Sequence, residues 1–174
     1  MIKLDCNNKL ILNTVTSYLL QKNYILSTND HKHHVLIKIT NNDKIMCLEI
    51  NGGKIDLTLP VDINILFSQI LKKILDTNFL LGDNQYFPYQ RVIRNSKSKS
   101  LLSDIQNIII TNLLLTDVGI NKDSLYKKIW KKDKSIFINK LDTHLTNLKK
   151  KLKEELDIKI NFQSQNKTLK LVID

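Results

Sequence analysis

The segment from Ser135 to Glu155 constrains the fold of this chain more than any other stretch, because its apolar residues repeat at helical spacing. Its leucines are separated by four, three and four residues: Leu141, Leu145, Leu148 and Leu152, the leucine stripe. On a helix of about 3.6 residues per turn, all four fall within roughly 40 degrees of one another. The pattern predicts a long amphipathic helix that packs this stripe on a core.

The other side of this predicted helix is polar and basic. Its far face carries Asn139, Thr143, Thr146, Asn147, Lys150 and Lys153, and one flank carries Lys140, His144 and Lys151. Hydrogen-bonding groups beside ammonium groups suit a groove in which base edges lie between two rows of phosphates. A solvated surface helix shows the same pattern, so the interpretation depends on the surrounding sequence.

Positive charge is concentrated in the same half of the chain. The net charge is +10, and residues 99–174 carry fifteen lysines against nine acidic residues. A basic half indicates a polyanionic partner, with nucleic acid the first candidate and an anionic membrane the second. The abundance of Lys, Asn and Ile is typical of an AT-rich genome, which raises lysine content everywhere, so charge alone does not identify the partner.

Composition and cysteine content predict a folded cytoplasmic protein. Apolar residues make up 42% of the 174 residues, enough for one or two small domains. Cys6 and Cys47 are too few for a disulfide framework and are expected to be reduced structural thiols. No apolar run reaches the roughly 18 residues of a membrane span, and the first eight residues lack the apolar core of a signal peptide.

Residues 1–76 predict a small α/β domain of order β-α-β-β-β-β-α. Alternating runs joined by Asn- and Gly-containing turns predict an antiparallel meander within it. The predicted elements are strand 2–5, helix 10–20 capped by Asn7 or Asn8, strands 24–27, 35–40, 44–50 and 54–59, and a helix capped by Asp62.

The rest of the chain predicts a linker and a second domain. Turn signals such as Gly82-Asp83-Asn84 indicate that residues 77–100 are a linker with short strands. Residues 101–174 predict a helix broken by Gly119, a short helix, the long basic helix and a β-hairpin. This order is that of a winged helix-turn-helix, whose third helix fills the major groove while the hairpin reaches the flanking backbone.

Three segments of the second half carry a family resemblance. The segment LYKKIW (125–130) is similar to the second helix of one family, and LDTHLTNLKKKL (141–152) is similar to its recognition helix. The segment YFPYQRVI (86–93) is similar to the β-stretch that precedes the DNA-binding helices of the same family. The chain resembles the OmpR/PhoB-type response regulators, most clearly over residues 101–173. The resemblance implies a transcriptional regulator that binds double-stranded DNA.

The resemblance also assigns roles to residues. Asn139, Thr143 and Asn147 would meet bases or nearby phosphates. Phosphate contacts would come mainly from His144, Thr146, Lys149 and Lys150. The implied DNA-binding residues are Asn139, Lys140, Thr143, His144, Thr146, Asn147, Lys149, Lys150, Lys151 and, in the wing, Lys167. Arginines that are usual in this helix are replaced by Thr146, Asn147 and Lys149, which weakens the bidentate reading of guanine.

Residues 1–76 resemble a receiver domain only in outline. A receiver has paired acids after its first strand, a phospho-acceptor Asp and a Lys, whereas here Cys6 follows Asp5 and Leu59 precedes Pro60 where the Lys would stand. Phosphoryl transfer depends on metal-binding acids and charge neutralisation. We therefore predict a shortened, degenerate receiver-like domain that is not phosphorylated.

Other candidate sites are less specific. His31, His33 and His34 could bind a transition metal, but a polar loop explains them equally well, and no metal site is predicted. Cys47 alternates with apolar neighbours and is predicted to lie in the core. No Ser/His/Asp or paired-carboxylate arrangement stands out, so neither an enzyme nor a cofactor is predicted.

The sequence thus predicts a phosphorylation-independent transcriptional regulator that binds double-stranded DNA. A homodimer through residues 1–76 is expected, and RNA polymerase is a further candidate partner. One alternative is a protein-interaction module that keeps the winged-helix fold without DNA binding, which the missing arginines favour. A second alternative, a membrane-surface protein, requires a basic helix with an exposed apolar face.

Overall fold

The computed structural model describes a mixed α/β protein made of two compact units, Met1–Thr77 and Asn78–Asp174. The described residues are 1–27, 35–42, 44–116, 118–131, 133 and 135–173, without the side chain of Ile138. His31, His33 and His34 lie outside them.

Within its described residues, the first unit contains one four-stranded sheet and two helices. Its elements are β1 (Ile2–Cys6), α1 (Lys9–Gln21), β2 (Val35–Asn41), β3 (Ile45–Ile50), β4 (Gly53–Thr58) and α2 (Ile63–Asp76). Both predicted caps are confirmed: the Asn8 side chain accepts from the amides of Leu10 and Ile11, and Asp62 accepts from Asn64. These bonds satisfy amide groups that the first turn of a helix leaves unpaired.

The sheet has the order β1-β2-β3-β4 and is buried on one face only. β1 and β2 are parallel, and β2, β3 and β4 form the predicted antiparallel meander. In β2, Val35, Ile37 and Ile39 are fully buried while Lys38 and Thr40 are exposed. The sheet therefore has an apolar helix-covered face and a polar open face.

Two features of this unit differ from the sequence predictions, which placed a strand at residues 24–27 and Cys47 in the core. Residues 24–27 form no strand, only a single bridge between Leu26 and Ile2. Cys47 lies half-buried on the open face, since it alternates with the buried Met46 and Leu48. A hydrogen bond with Asp56, then burial, raises the pKa of the Cys47 thiol.

The described part of the second unit contains two antiparallel sheets and three helices. Its elements are β5 (Phe79–Leu81), β6 (Asn84–Phe87), β7 (Val92–Arg94), β8 (Lys99–Leu101), α3 (Asp104–Leu114), β9 (Ile120–Asn121), α4 (Lys122–Ile129), α5 (Ile138–Leu156), β10 (Ile160–Gln165) and β11 (Thr168–Ile173). Ser103 and Gln106 form a capping box at α3, and Asn121 caps α4.

Residues 77–100, predicted to be a linker with short strands, form one complete antiparallel sheet. The turn signals close tight hairpins, so that β5, β6, β7 and β8 pair in order as one antiparallel sheet. Tyr86 on β6 is fully buried, and its hydroxyl donates to Asn107 Oδ1 of α3 at 2.7 Å. This sheet belongs to the core of the second unit.

The C-terminal hairpin is attached to the start of α4. β11 pairs with β10 and also with β9, which the sequence analysis did not identify. Gly119, just before β9, has φ +86°, and a Cβ there would lie 2.7 Å from the Leu169 carbonyl oxygen. Only glycine permits this approach of the two backbones.

Candidate nucleic-acid interface

The leucine stripe of α5 points into the core of the second unit. Leu141, Leu148 and Leu152 are 0% exposed and Leu145 is 5% exposed. They pack in one cluster with residues of α3, α4 and both sheets, such as Ile109, Leu125, Tyr86 and Leu169. Burial of the stripe leaves the opposite face of α5 toward solvent.

The outward face of α5 carries the polar residues that the sequence predicts. Seven side chains on this face are exposed: Asn139, Thr143, Thr146, Asn147, Lys149, Lys150 and Lys153. The hydroxyls of Thr143 and Thr146 donate to the carbonyl oxygens of Asn139 and Asp142, at 2.8 and 3.0 Å. Each hydroxyl oxygen keeps acceptor capacity toward solvent.

The lysines along this helix are partly neutralised by acids. Lys150 Nζ lies 3.8 Å from Glu154 Oε1, and Lys151 Nζ lies 3.5 Å from Glu155 Oε1. The two residues of each pair are one helical turn apart. Exposed pairs of this kind contribute only about 0–1 kcal/mol. A phosphate group can therefore replace either carboxylate at small cost.

Lys140 and His144 belong to a cluster at the start of α5. Lys140 Nζ lies 4.4 Å from the centre of the Trp130 ring and 3.1 Å from Asp133 Oδ2. The Tyr126 hydroxyl donates to the same carboxylate at 2.7 Å, and the His144 ring lies 5.5 Å from that of Trp130. Since Phe137 provides no side-chain cap, these contacts hold the first turn of α5 against α4.

The carboxyl group of Asp133 stabilises this cluster in its ionised form. The hydrogen bond from Tyr126, and then that from Lys140, lowers the pKa of Asp133 below its usual range. Burial, and then the bond to Asp133, raises the pKa of the Tyr126 hydroxyl. Because the folded-state pKa of Asp133 is lowered, its stabilising effect is complete above the unfolded value of about 3.9 and is lost as pH falls through the folded value.

We expect acid to destabilise the native protein more than an Asp133→Asn variant. Urea unfolding, followed by the fluorescence of Trp130, the sole tryptophan, measures the loss between about pH 5 and pH 2. The variant starts less stable at pH 7 and loses less on acidification. Equal losses in the two proteins would show that Asp133 makes no such contribution.

A groove of about 370 Å³ separates α5 from the hairpin. Lys122 Nζ bonds Asp142 Oδ1 at 2.9 Å on its rim, and Lys149 Nζ donates to Asn161 Oδ1 of β10 at 3.1 Å. Lys149, a predicted site residue, is therefore positioned by the hairpin. Lys122 and Asn161 are members of this surface that the sequence analysis missed, because no local pattern indicates which strand meets α5.

The hairpin tip places Lys167 at an exposed position. Asn166 and Lys167 have φ of 47° and 62° and connect the paired residues Gln165 and Thr168, as in a type I′ turn. The Lys167 side chain is 75% exposed and its Nζ lies 3.8 Å from Asp123. Lys167 therefore lies at the exposed tip of the hairpin and is not part of α5.

A second group of basic residues lies where α5 meets β10. Lys149, Lys153 and Lys159 surround a cleft of about 220 Å³ whose floor includes Ile158 and Ile160. Asp157, in the left-handed conformation with φ 55°, turns the chain from the helix into this strand. Lys159 was not identified from the sequence, since its position depends on that turn.

Comparisons with known proteins add no assignment. No protein-family model matches the chain, and no curated protein matches it either. Within the described residues, no helix is long and apolar enough to cross a membrane. The same residues contain no group of three or more His, Cys, Asp or Glu side chains that could hold a metal ion.

Proposed function

We propose that the second unit is a winged helix-turn-helix domain and that the protein is a DNA-binding transcriptional regulator of response-regulator type. The observation that carries the proposal is the burial of the leucine stripe, which leaves the Asn, Thr and Lys face of α5 exposed beside a hairpin. A helix of this kind fits the major groove of a duplex.

The order of elements supports this proposal. α3, α4 and α5 are followed directly by the β10–β11 hairpin, as in winged helix-turn-helix proteins. The segment that resembles the family's second helix forms α4, with Leu125 and Tyr126 buried. The segment that resembles the family's β-stretch runs from the end of β6 through the following turn into β7.

Within this proposal, the residues of α5 divide into two roles. Asn139, Thr143 and Asn147 meet base edges or nearby phosphates. Phosphate contacts come mainly from the remaining predicted residues: Lys140, His144, Thr146, Lys149, Lys150, Lys151 and Lys167. Since phosphate contacts carry no sequence information, lysines in place of arginines favour affinity over sharp specificity.

The first unit acts, in this proposal, by dimerisation or partner contact instead of phosphorylation. Cys6 and Leu59 stand where a receiver has chemistry-bearing residues. Its helix-covered sheet provides the surface for these contacts. A second copy of the chain is the first candidate partner, and RNA polymerase is another. The proposed function requires neither catalysis nor a cofactor.

A fluorescence anisotropy titration of the full chain with duplex DNA tests DNA binding. Binding at low salt is expected, because exposed lysines can displace counterions from phosphates. Absence of binding at low salt would reject the DNA-binding proposal.

Two sets of variants separate the proposed roles. Lys149→Ala with Lys150→Ala should weaken binding to all duplexes alike, because it removes phosphate contacts. Asn147→Ala should instead alter the preference among duplexes, by about 1–3 kcal/mol if the amide reads a base. The same titration, over several duplex sequences, measures both.

The matched control removes two lysines elsewhere. Lys9 and Lys72 are exposed on the helices of the first unit, and their replacement by alanine changes the net charge equally. This control should bind nearly as the native chain does. If the α5 variants also bound like the native chain, α5 would not be the recognition helix.

A protein-interaction module of the same fold is the second candidate function. The pairing of Lys150, Lys151 and Lys140 with acids of the chain favours it, since these cations are partly neutralised. Retention of a regulator or a polymerase subunit in a pull-down, with no DNA footprint, would support this candidate over DNA binding.

A further inference from the structure

The sheet of the first unit ends in an unpaired strand. β4 is the last strand in the order β1-β2-β3-β4, and no described residue pairs with its outer edge. Lys54, Asp56 and Thr58 of β4 are exposed, whereas Ile55 and Leu57 are half-buried. Such an edge can pair with a strand of another chain.

Hydrogen bonding at the end of the meander shows which backbone groups face outward. The Leu59 amide donates to the Lys44 carbonyl at 2.8 Å, so the facing residues 44 and 59 are a hydrogen-bonded pair. Such pairs alternate with non-bonded ones along antiparallel strands, so Ile55 and Leu57 bond to β3. The N–H and C=O groups of Lys54 and Asp56 therefore face the free edge.

One row of facing residues on the open face of the sheet alternates in charge from strand to strand. The row ends at β4. The register places Asp5 beside Lys38, Lys38 beside Glu49, and Glu49 beside Lys54. Opposite charges on directly facing residues stabilise a sheet, and like charges destabilise it. Beyond Lys54, the next position in the row belongs to whatever strand pairs with β4, and an acidic residue fits there.

We infer that two copies of the chain associate by antiparallel pairing of their β4 strands, centred on Ile55. In that register Lys54 of each copy faces Asp56 of the other, and the two Ile55 side chains face each other on the helix-covered side. Both facing residues direct their backbone groups outward, so the two Lys54–Asp56 pairs also form the backbone bonds. The result is a two-fold symmetric contact.

Neighbouring symmetric registers are excluded by charge. Centring the pair on residue 54 places Lys54 against Lys54, and centring it on residue 56 places Asp56 against Asp56. A register whose centre lies between two residues sets a residue with outward-facing backbone groups against one whose backbone groups bond to β3. Such a register loses the backbone hydrogen bonds between the two chains. Among the symmetric registers centred on residues 54 to 56, only the one centred on Ile55 sets opposite charges against each other and keeps the backbone hydrogen bonds.

This inference deepens the proposed dimerisation of the first unit and is tested without DNA, so it can fail while DNA binding stands. Sedimentation velocity of the full chain at tens of micromolar should show a dimer. Lys54→Glu and Asp56→Lys should each raise the dimer dissociation constant by about tenfold or more, because two pairs become repulsive. The double variant should restore the dimer, since each new Glu faces a new Lys.

Lys9→Glu, on an exposed position of α1, is the matched control and should leave the dimer unchanged. A monomeric native chain, or a dimer insensitive to both single variants, would overturn the inference. So would a double variant as weak as the singles.

A second variant tests the register directly. Non-bonded facing residues have Cα atoms about 4.5 Å apart, within the range of a disulfide. Ile55→Cys, in a chain whose Cys6 and Cys47 are replaced by Ser, should form a covalent dimer under mild oxidation. Thr58→Cys in the same background should not, and equal cross-linking at the two positions would contradict the register.

Discussion

Replacing Leu148 with alanine should lower the free energy of unfolding of the second unit by about 3 kcal/mol. Leu148 is 0% exposed and lies in the middle of the leucine stripe. Truncation removes three buried carbon atoms from a side chain enclosed by α3, α4 and the sheet residues of the same cluster. The loss combines a lower transfer free energy with a cavity that the neighbours fill only in part.

Urea unfolding followed by Trp130 fluorescence measures this loss, because the sole tryptophan lies in the second unit. Asn147→Ala, one residue earlier on the exposed face, is the control and should change stability by less than about 0.5 kcal/mol. A Leu148→Ala loss no larger than that of the control would mean that α5 does not pack through the stripe. The outward presentation of its Asn and Lys residues would then have no basis.

Raising salt from about 50 to about 200 mM should weaken binding to duplex DNA by about 500-fold, if the five lysines of the proposed phosphate-contact set all meet phosphates. Each contact releases condensed counterions, so the logarithm of the association constant falls by about 0.9 per contact for each tenfold rise in salt. Anisotropy titrations at four or more salt concentrations give the slope. Its size counts the contacts independently of any assumed docking pose.

The same slope distinguishes phosphate contacts from incidental charge. Lys150→Ala should reduce it by about 0.9, whereas Lys72→Ala, on α2 of the first unit, should leave it unchanged. An affinity that hardly varied with salt would contradict contacts from α5 to phosphates, whatever its magnitude at low salt. The interaction-module function would then be favoured.

Elements with a strong local signal could be predicted from the sequence. The leucine stripe, the caps at Asn8 and Asp62, and the antiparallel meander all follow from spacing or from one side chain near a helix start. Side chains at i, i+3 and i+4 share a helix face whatever surrounds it. For the same reason, the exposure of Asn147 and Lys150 followed from the stripe alone.

Elements that depend on pairing over long distances could not be predicted. Residues 77–100 contain strands of three or four residues, and turn residues between such short runs look the same in a linker and in a hairpin. β9 has two residues and exists because Gly119 lets the backbone approach β11. The cluster of Trp130, Asp133 and Lys140 likewise joins residues whose contact depends on the turn between two helices.

Within the candidate site, the sequence could indicate which residues are exposed but not which are already engaged. Lys149 is bonded to Asn161, and Lys140 lies on the Trp130 ring. Both contacts require knowledge of where the hairpin and α4 lie. Charge counting therefore overstated the number of unneutralised ammonium groups along α5.

The attachment of β11 to β9 has a consequence for dissecting this protein into fragments. Ile160 and Leu169 of the hairpin are 1% exposed and belong to the same cluster as the leucine stripe. A polypeptide cut after Leu156 would lose these apolar groups together with the strand that fastens the start of α4. The smallest independently stable piece that contains α5 should thus span residues 78–173, with the terminal hairpin as an integral part.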